Sequence, residues 1–357
     1  MTTLTVHASK KYDVLIGRGL LDKAGETAAG LWRGRTAALV SDSNVAPRYL
    51  RRVKDSLEGA GFAVPCYVFP AGEQSKTAGT WLSLMEFLAE RRLTRADGIV
   101  ALGGGVVGDL AGFAASSFLR GVGYLQVPTT VLAAVDSSVG GKTAIDLPQG
   151  KNLVGAFCQP DGVLCDLDAW RTLPPDVLSD GCAEVIKYGM IRDPALLDSL
   201  EREDFRKDPE GVTARCVSLK RDMVERDERD LGERQLLNLG HTAGHGIEAA
   251  SGYTVSHGRA VAAGMTILTG AAVSLGLCPE GVLPRLEALL RKYGLPTETD
   301  LSPAELYEHT LSDKKRAGDT MTIVVPTGWG QSKLQTVSVP QWRDWLERGM
   351  THCKTKL

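Results

Sequence analysis

The chain has 357 residues, enough for about two domains, and its 43% hydrophobic and 24% charged content is that of an ordinary globular protein with a sizeable core. A net charge of −2 provides no basic field for nucleic acid or an anionic membrane, so any anion must be met by a local cluster of Lys and Arg. Seven scattered cysteines with no C-x-x-C pair argue for reduced thiols in a cytoplasmic protein, against a disulfide framework or a cysteine-built zinc site.

In chain order, residues 1–17 read as a charged strand without the apolar core of a secretion signal. Strand patterns follow at 37–41, 64–68, 98–102 and 124–127, and helical periodicity at 45–60, 76–91 and 107–118. Such alternation predicts a mostly parallel sheet with helices on its faces. At Arg171-Thr-Leu-Pro-Pro-Asp176 the double proline interrupts helical continuation and marks a boundary. Beyond it the patterns are mainly helical, at 182–191, 212–227, 241–250, 259–275, 281–293 and 303–311, with one late strand at 321–325. No apolar run reaches the length of a membrane span, so no membrane partner is expected. The expected organisation is an α/β nucleotide-binding domain with a Rossmann-like parallel sheet over residues 1–175. A mostly α-helical metal- and substrate-binding domain follows over 176–357.

Three sets of residues carry chemistry. The first is a glycine loop after the strand at 98–102, containing Gly103-x-Gly105-x-x-Gly108 and running to Asp109. Glycines let a backbone approach a phosphate, and the following helix offers free N–H groups. The loop departs from the dinucleotide fingerprint, because it does not follow the first strand and no acidic residue closes a second strand about 20 residues later. Asp42 and Asn44 after an earlier strand, and Glu73 and Lys76 at a helix start, strengthen the case for a nucleotide.

The second set is histidine. Three of the six histidines, His241, His245 and His257, fall in one short stretch. His241 and His245 share a helix face, and imidazoles with one carboxylate make a common zinc site. Spacing alone favours His241 and His245 and leaves the carboxylate open between Glu184 and Glu248. There is no H-E-x-x-H, so a metalloprotease has no general base where it needs one. The third set is basic: Arg120, Lys142, Lys151, Lys187, Lys220, Arg234, Lys314 and Lys315 lie in or near these glycine- and histidine-rich segments, where cations commonly meet oxyanions. Spacing does not tie remote members such as Lys220 to a site.

Long segments then resemble the 3-dehydroquinate synthase family. They are Gly103-Gly-Gly-Val-Val-Gly-Asp-Leu-Ala-Gly-Phe113, the run from Gln126 to Thr143, Gly150-Lys-Asn-Leu-Val-Gly-Ala-Phe157, Ala183-Glu-Val-Ile-Lys-Tyr-Gly189, Leu237-Asn-Leu-Gly-His-Thr-Ala-Gly-His245 and Asp313-Lys-Lys315. The resemblance implies an NAD- and divalent-metal-dependent lyase, with zinc or cobalt, acting on a sugar phosphate as a homodimer. It implies Glu184, His241 and His257 as metal ligands, replacing the pair favoured by spacing. His245 then becomes a neighbour of the substrate phosphate or of a proton transfer. Implied NAD contacts are Asp42, Asn44, Glu73, Lys76, Gly104, Gly105, Val106, Val107, Gly108, Asp109, Thr129, Thr130, Asp136, Lys142, Lys151 and Thr172. Implied substrate contacts are Arg120, Asp136, Lys142, Asn152, Lys187, Lys220, Arg234, Asn238, His245 and either Lys314 or Lys315.

The family reaction oxidises a hydroxyl so that the neighbouring C–H becomes acidic, expels phosphate, returns the hydride and closes a carbocycle. Two alternatives stay open: a related sugar-phosphate cyclase, aminodehydroquinate synthase included, and a metal-dependent alcohol or glycerol dehydrogenase.

Overall fold

The computed structural model describes residues 1–310, 316–317 and 319–354. The chain forms two compact units, Met1–Leu173 with Pro209–Arg229, and Pro174–Asp208 with Asp230–Leu357.

The first unit is built on seven strands: β1 (Thr2–His7), β2 (Lys11–Gly17), β3 (Ala37–Asp42), β4 (Cys66–Phe69), β5 (Gly98–Gly103), β6 (Gly123–Pro128) and, after a separate hairpin of β7 (Lys142–Leu147) and β8 (Gly150–Phe157), β9 (Gly162–Asp166). Their order across the sheet is β1-β2-β9-β6-β5-β3-β4, parallel except for the β1–β2 pair. The helices are α1 (Ala24–Leu31), α2 (Arg51–Gly59), α3 (Ala78–Glu90) and α4 (Gly105–Ser117).

The central strands read as near-continuous apolar runs because both faces are covered. Leu39, Val100, Leu102, Leu125 and Val127 join one core with Ala24 and Ala28 of α1 and Val53 and Leu57 of α2. Their alternates Ala38, Val40, Ile99, Ala101 and Tyr124 join the other with Leu84 and Leu88 of α3 and Leu110 and Ala114 of α4. The two-residue period of a strand thus divides one sequence between two cores.

Residues 1–17, which read as a charged strand with a short strand pattern at 12–16, are two antiparallel strands, the second of them covering 12–16. The short polar stretch at 8–10 turns the chain, and Ser9 is fastened there by its amide and hydroxyl to Glu228, at 2.9 and 2.5 Å. The helix expected from 45 begins at Arg51, after a wide turn Ala46–Leu50 that contains Pro47. The strand expected from 64 begins at Cys66, after Pro65, which has no amide to give a ladder. The strands β7, β8 and β9 were not expected: glycines and polar residues break up the first two, and β9 carries an apolar run of only three residues.

The second unit opens with α5 (Pro175–Arg192) and α6 (Pro194–Arg202). The chain then returns to the first unit as α7 (Pro209–Arg226), packed on β1 and β2. Its periodicity resembles that of its neighbours in sequence, and nothing local says which core it joins. The second unit continues with α8 (His241–Ala250), α9 (His257–Ser274), α10 (Val282–Lys292), α11 (Pro303–Thr310), a sheet of β10 (Arg316–Ala317), β11 (Thr320–Gly328) and β12 (Gln331–Ser338), and α12 (Val339–Lys354). The helix α9 is buried almost all round, with α5, α8, α10 and α12 packed against it. Among the described residues no helix is long and apolar enough to cross a membrane.

Candidate functional site

In the first unit the strand order reverses between β3 and β5. From β3 the chain moves outward to β4, then crosses to β5 on the other side and continues outward through β6. Open α/β sheets bind ligands in the crevice beyond the carboxyl ends of strands at such a switch point. The carboxyl end of β3 is Asp42 and that of β5 is Gly103, so the two sequence motifs fall on the two sides of the crevice. Ser41 ties the strand ends together by donating its hydroxyl to the Leu102 carbonyl at 2.8 Å.

Asp42 accepts the amides of Asn44 and Val45 at 2.8 and 2.9 Å, which holds the turn after β3. The helix α4 starts at Gly105, and its cap, Gly104, has no side chain to occupy the first-turn N–H groups. The space here is tight: a Cβ at Gly108 would stand 2.8 Å from Gln126 Oε1, and one at Gly104 3.3 Å from Thr130 Cγ2, so a side chain at either would displace a neighbour. Thr129 gives its amide to the Gly103 carbonyl at 2.9 Å and has a buried hydroxyl beside the loop.

A charged network lies one turn into α4. Lys76 is buried, 2.6 Å from Asp109, 3.7 Å from Glu73 and 2.5 Å from the Asn152 amide oxygen. Burial by itself would lower the Lys76 pKa, but Asp109, Glu73 and Asp146 outweigh it and hold the ammonium above its ordinary value. Asp109 is raised by the same burial, against the pull of Lys76. Lys151 lies 3.3 Å from Glu73. Lys220 of α7 pairs with Asp136 and also donates to its backbone carbonyl at 2.6 Å. That contact links the remote lysine to a second candidate residue of the same unit, which spacing did not do.

In the second unit, Glu184 is fully buried in α5, and His241 and His257 are the first residues of α8 and α9. His257 Nε2 is 3.4 Å and His241 Nε2 3.7 Å from the same atom, Glu184 Oε1. Each ring is oriented from behind. His241 Nδ1 faces the Leu239 carbonyl at 3.1 Å, and His257 Nδ1 faces Glu248 Oε2 at 3.3 Å. With Nδ1 so engaged, Nε2 of both rings points to the shared place, the orientation metal-binding imidazoles use. Burial would lower the His257 pKa, but Glu184 and Glu248 push it up to about 10. Lys187, one turn along α5, pairs with Glu184.

Local sequence explains how three distant segments meet. Gly240 adopts φ 79°, and a Cβ there would stand 2.6 Å from the Val261 carbonyl, so only glycine lets the chain turn into α8 against α9. Asp180, one turn before Glu184, accepts the Ser256 hydroxyl at 2.5 Å and the Arg259 amide at 3.0 Å. One face of α5 therefore fastens the start of α9 and faces its first histidine. Two overlapping sets of donors lie close enough to hold an ion: Glu184, His241 and His257, and His245, Glu248 and His257. The first set is completed by supports behind both rings. In the second, Glu248 is the group that orients His257.

Residues 66–180 match the 3-dehydroquinate synthase N-terminal family, and 181–316 match the C-terminal family, together well over half of the chain. A 3-dehydroquinate synthase of Enterococcus faecalis is 45% identical over 97% of this chain and 98% of its own length. One of Streptococcus mutans is 43% identical over 95% and 98%. The chain belongs to the 3-dehydroquinate synthase family. A solved 2-deoxy-scyllo-inosose synthase, complexed with carbaglucose-6-phosphate, NAD+ and Co2+, is 27% identical, covers 97% of this chain and 99% of that one, and superposes with a TM-score of 0.87.

The other positions that 3-dehydroquinate synthase motifs single out are distributed as follows. Lys142 opens β7 and is exposed, and Asn152 lies in β8 with φ 55°. Arg120 ends a short turn with φ 68°. Thr172 shares a 2.5 Å hydrogen bond with Tyr49. Arg234, fully buried, and Asn238 lie in the helical turn Glu233–Asn238 that leads to His241. Lys314 and Lys315 lie outside the described residues. The sequence reading missed Asp180, although its four-residue spacing from Glu184 was a readable sign of a shared helix face, and it weighed Glu248 only as a ligand.

Proposed function

We propose that the chain converts 3-deoxy-D-arabino-heptulosonate 7-phosphate to 3-dehydroquinate and phosphate, with NAD held by the first unit and a divalent cation by the second. The observation that carries this reading is the convergence of two imidazole nitrogens on one buried carboxylate oxygen, in a chain similar over nearly its whole length to 3-dehydroquinate synthases.

The residues fit both groups. One carboxylate and two neutral imidazoles suit zinc or cobalt and leave a coordination position for a substrate oxygen. The uncapped start of α4, beyond glycines at a switch point, suits a pyrophosphate, and Asp42 at the neighbouring strand end suits ribose hydroxyls. When bound, the pair supplies reversible hydride transfer and lowers the pKa of the hydroxyl to be oxidised.

The chain's own work is to hold and neutralise. Glu184, His241 and His257 fix the cation, while Leu239 and Glu248 keep each ring in the tautomer that offers Nε2. Within the second unit, buried Lys187 and Arg234 are the groups we assign to the substrate's charged oxygens; Lys142, Asn152 and Lys220 in the first unit match family positions that meet the same kind of partner. Buried cations meet such charges with little reorganisation. An uncharged alcohol would need no such set, which favours a cyclase over a dehydrogenase. The family resemblance further points to a homodimer working in the cytoplasm. Sedimentation velocity is the check on the first point.

The deciding experiment supplies the seven-carbon keto acid phosphate with catalytic NAD and a divalent cation, then follows inorganic phosphate and the product ring. Many phosphates released per NAD, with 3-dehydroquinate as product, supports the reading. NADH accumulating in step with substrate consumed rejects it in favour of a dehydrogenase. A different carbocycle would make it another cyclase.

A further inference from the structure

One carboxylate in the first unit stands outside every motif described so far. Asp146 sits in β7, and the β7–β8 ladder shifts register between Ile145 and Leu147, where Asp146 alone stands opposite the three residues 151–153 of a bulge in β8. Its backbone turns away from β8 and pairs elsewhere: its amide donates to the Lys76 carbonyl at 2.8 Å, in a short parallel bridge beside Thr77. Its carboxylate reaches back across the hairpin and accepts the Asn152 amide at 2.8 Å.

Asn152 has φ 55°, a left-handed conformation that asparagine adopts at some cost and that needs support from its surroundings. In that conformation its side-chain oxygen reaches Lys76, and the preceding residue, Lys151, reaches Glu73. One residue opposite the bulge thus joins the segment bearing Lys76 to the bulge bearing Lys151 and Asn152. Asp146 adds to the field that holds Lys76 charged, yet its direct contact is with a backbone amide. Lys76 and Lys151 already face Glu73 and Asp109, two cations against two carboxylates, and Asp146 makes a third. Its directed contact is that of an acceptor with a fixed position.

We propose that Asp146 is a positioning residue that clamps Asn152 in the left-handed conformation, and that it acts on the reaction only through the Lys151–Asn152 pair and Lys76. The effect on turnover rests on the function proposed above, whereas the clamp itself does not. Removing the acceptor leaves the Asn152 amide without its partner and frees the turn. Replacing the carboxylate by a neutral amide keeps an acceptor oxygen in the same place.

The test compares Asp146→Ala, Asp146→Asn and Asn152→Ala, singly and as the double variant of Asp146→Ala with Asn152→Ala, in the full chain. Hydrogen exchange is read on the peptide containing Asn152. Asp146→Ala should speed exchange there by about tenfold or more, the worth of a charge-assisted hydrogen bond, and Asp146→Asn much less. In the turnover assay, Asp146→Ala should lower kcat/KM about tenfold or more, Asp146→Asn should restore most of it, and Asp146→Ala should add little on top of Asn152→Ala. Unchanged exchange at Asn152 in Asp146→Ala overturns the clamp. Fully additive losses in the double variant, or no rescue by Asp146→Asn, overturn its action through Asn152. If the unaltered protein released no phosphate, the functional reading would fall while the exchange measurement still decided the clamp.

Discussion

The two units gather charge in opposite ways. The first collects Lys76, Lys151, Glu73 and Asp109 at a strand hairpin and helix starts, where each charge faces an opposite one. The second puts Glu184, His241 and His257 on three helices, turns two imidazoles toward one carboxylate oxygen, and places a further carboxylate, Glu248, behind one of them. A balanced network holds its members in shape. A cluster with two buried carboxylates, which hold a proton on His257 and draw Lys187 to Glu184, favours positive charge at one point. The contrast separates a scaffold for a nucleotide from a cage for an ion, and substitutions in the two should fail differently.

The largest effect should come from the cage. Glu184→Gln or His257→Ala is expected to lower turnover by at least about a hundredfold and to leave the purified protein short of metal, while NAD still binds. Metal analysis alongside calorimetry of NAD binding reads both, and normal metal content in Glu184→Gln would remove the contrast. In the balanced network the loss should appear first in folding. Lys76→Met strands Asp109 in a buried site and should cost about 3–5 kcal/mol in denaturant unfolding, with metal content unchanged. A smaller change in the second unit sharpens the point: Asp180→Ala releases the start of α9 and should cost about 1–2 kcal/mol, with weaker metal retention than the unaltered protein.

The smallest effect is a control in the first unit, away from the glycine loop. Asp97 is buried and accepts the amides of Thr36 and Thr94 and the Thr94 hydroxyl. Burial raises its pKa, but these donors outweigh it and leave it below the ordinary value of 3.8. A depressed carboxylate contributes stability above its unfolded pKa and loses it as pH falls through the folded one. Asp97→Asn should therefore cost about 1 kcal/mol at neutral pH, and the gap should close as pH drops below about 4. A gap that widened in acid would show that the carboxylate is not held in its charged form.

Much of this was legible in the sequence, for identifiable reasons. The buried parallel strands announced themselves as unbroken apolar runs, and the glycine loop as a local pattern that leaves the start of the following helix open. The hairpin β7–β8 was not legible, because its glycines and its bulge erase the two-residue alternation that marks a strand. The helix α7 carried a clear period but no sign of which unit it would join, since periodicity reports that one face is buried and not against what.

The histidines show the same division most sharply. Sequence established that imidazoles and carboxylates were available and that His241 and His245 share a helix face, a short-range fact fixed by the turn of the helix. Which nitrogen points where was decided only by tertiary structure. Gly240 lets α8 close on α9, Asp180 pins the first turn of α9 to α5, and Glu248 and the Leu239 carbonyl set the two rings. Helix periodicity acts over a few residues and can be read along the chain. The meeting of three helix ends depends on packing between segments dozens of residues apart, and a one-dimensional pattern does not contain that information.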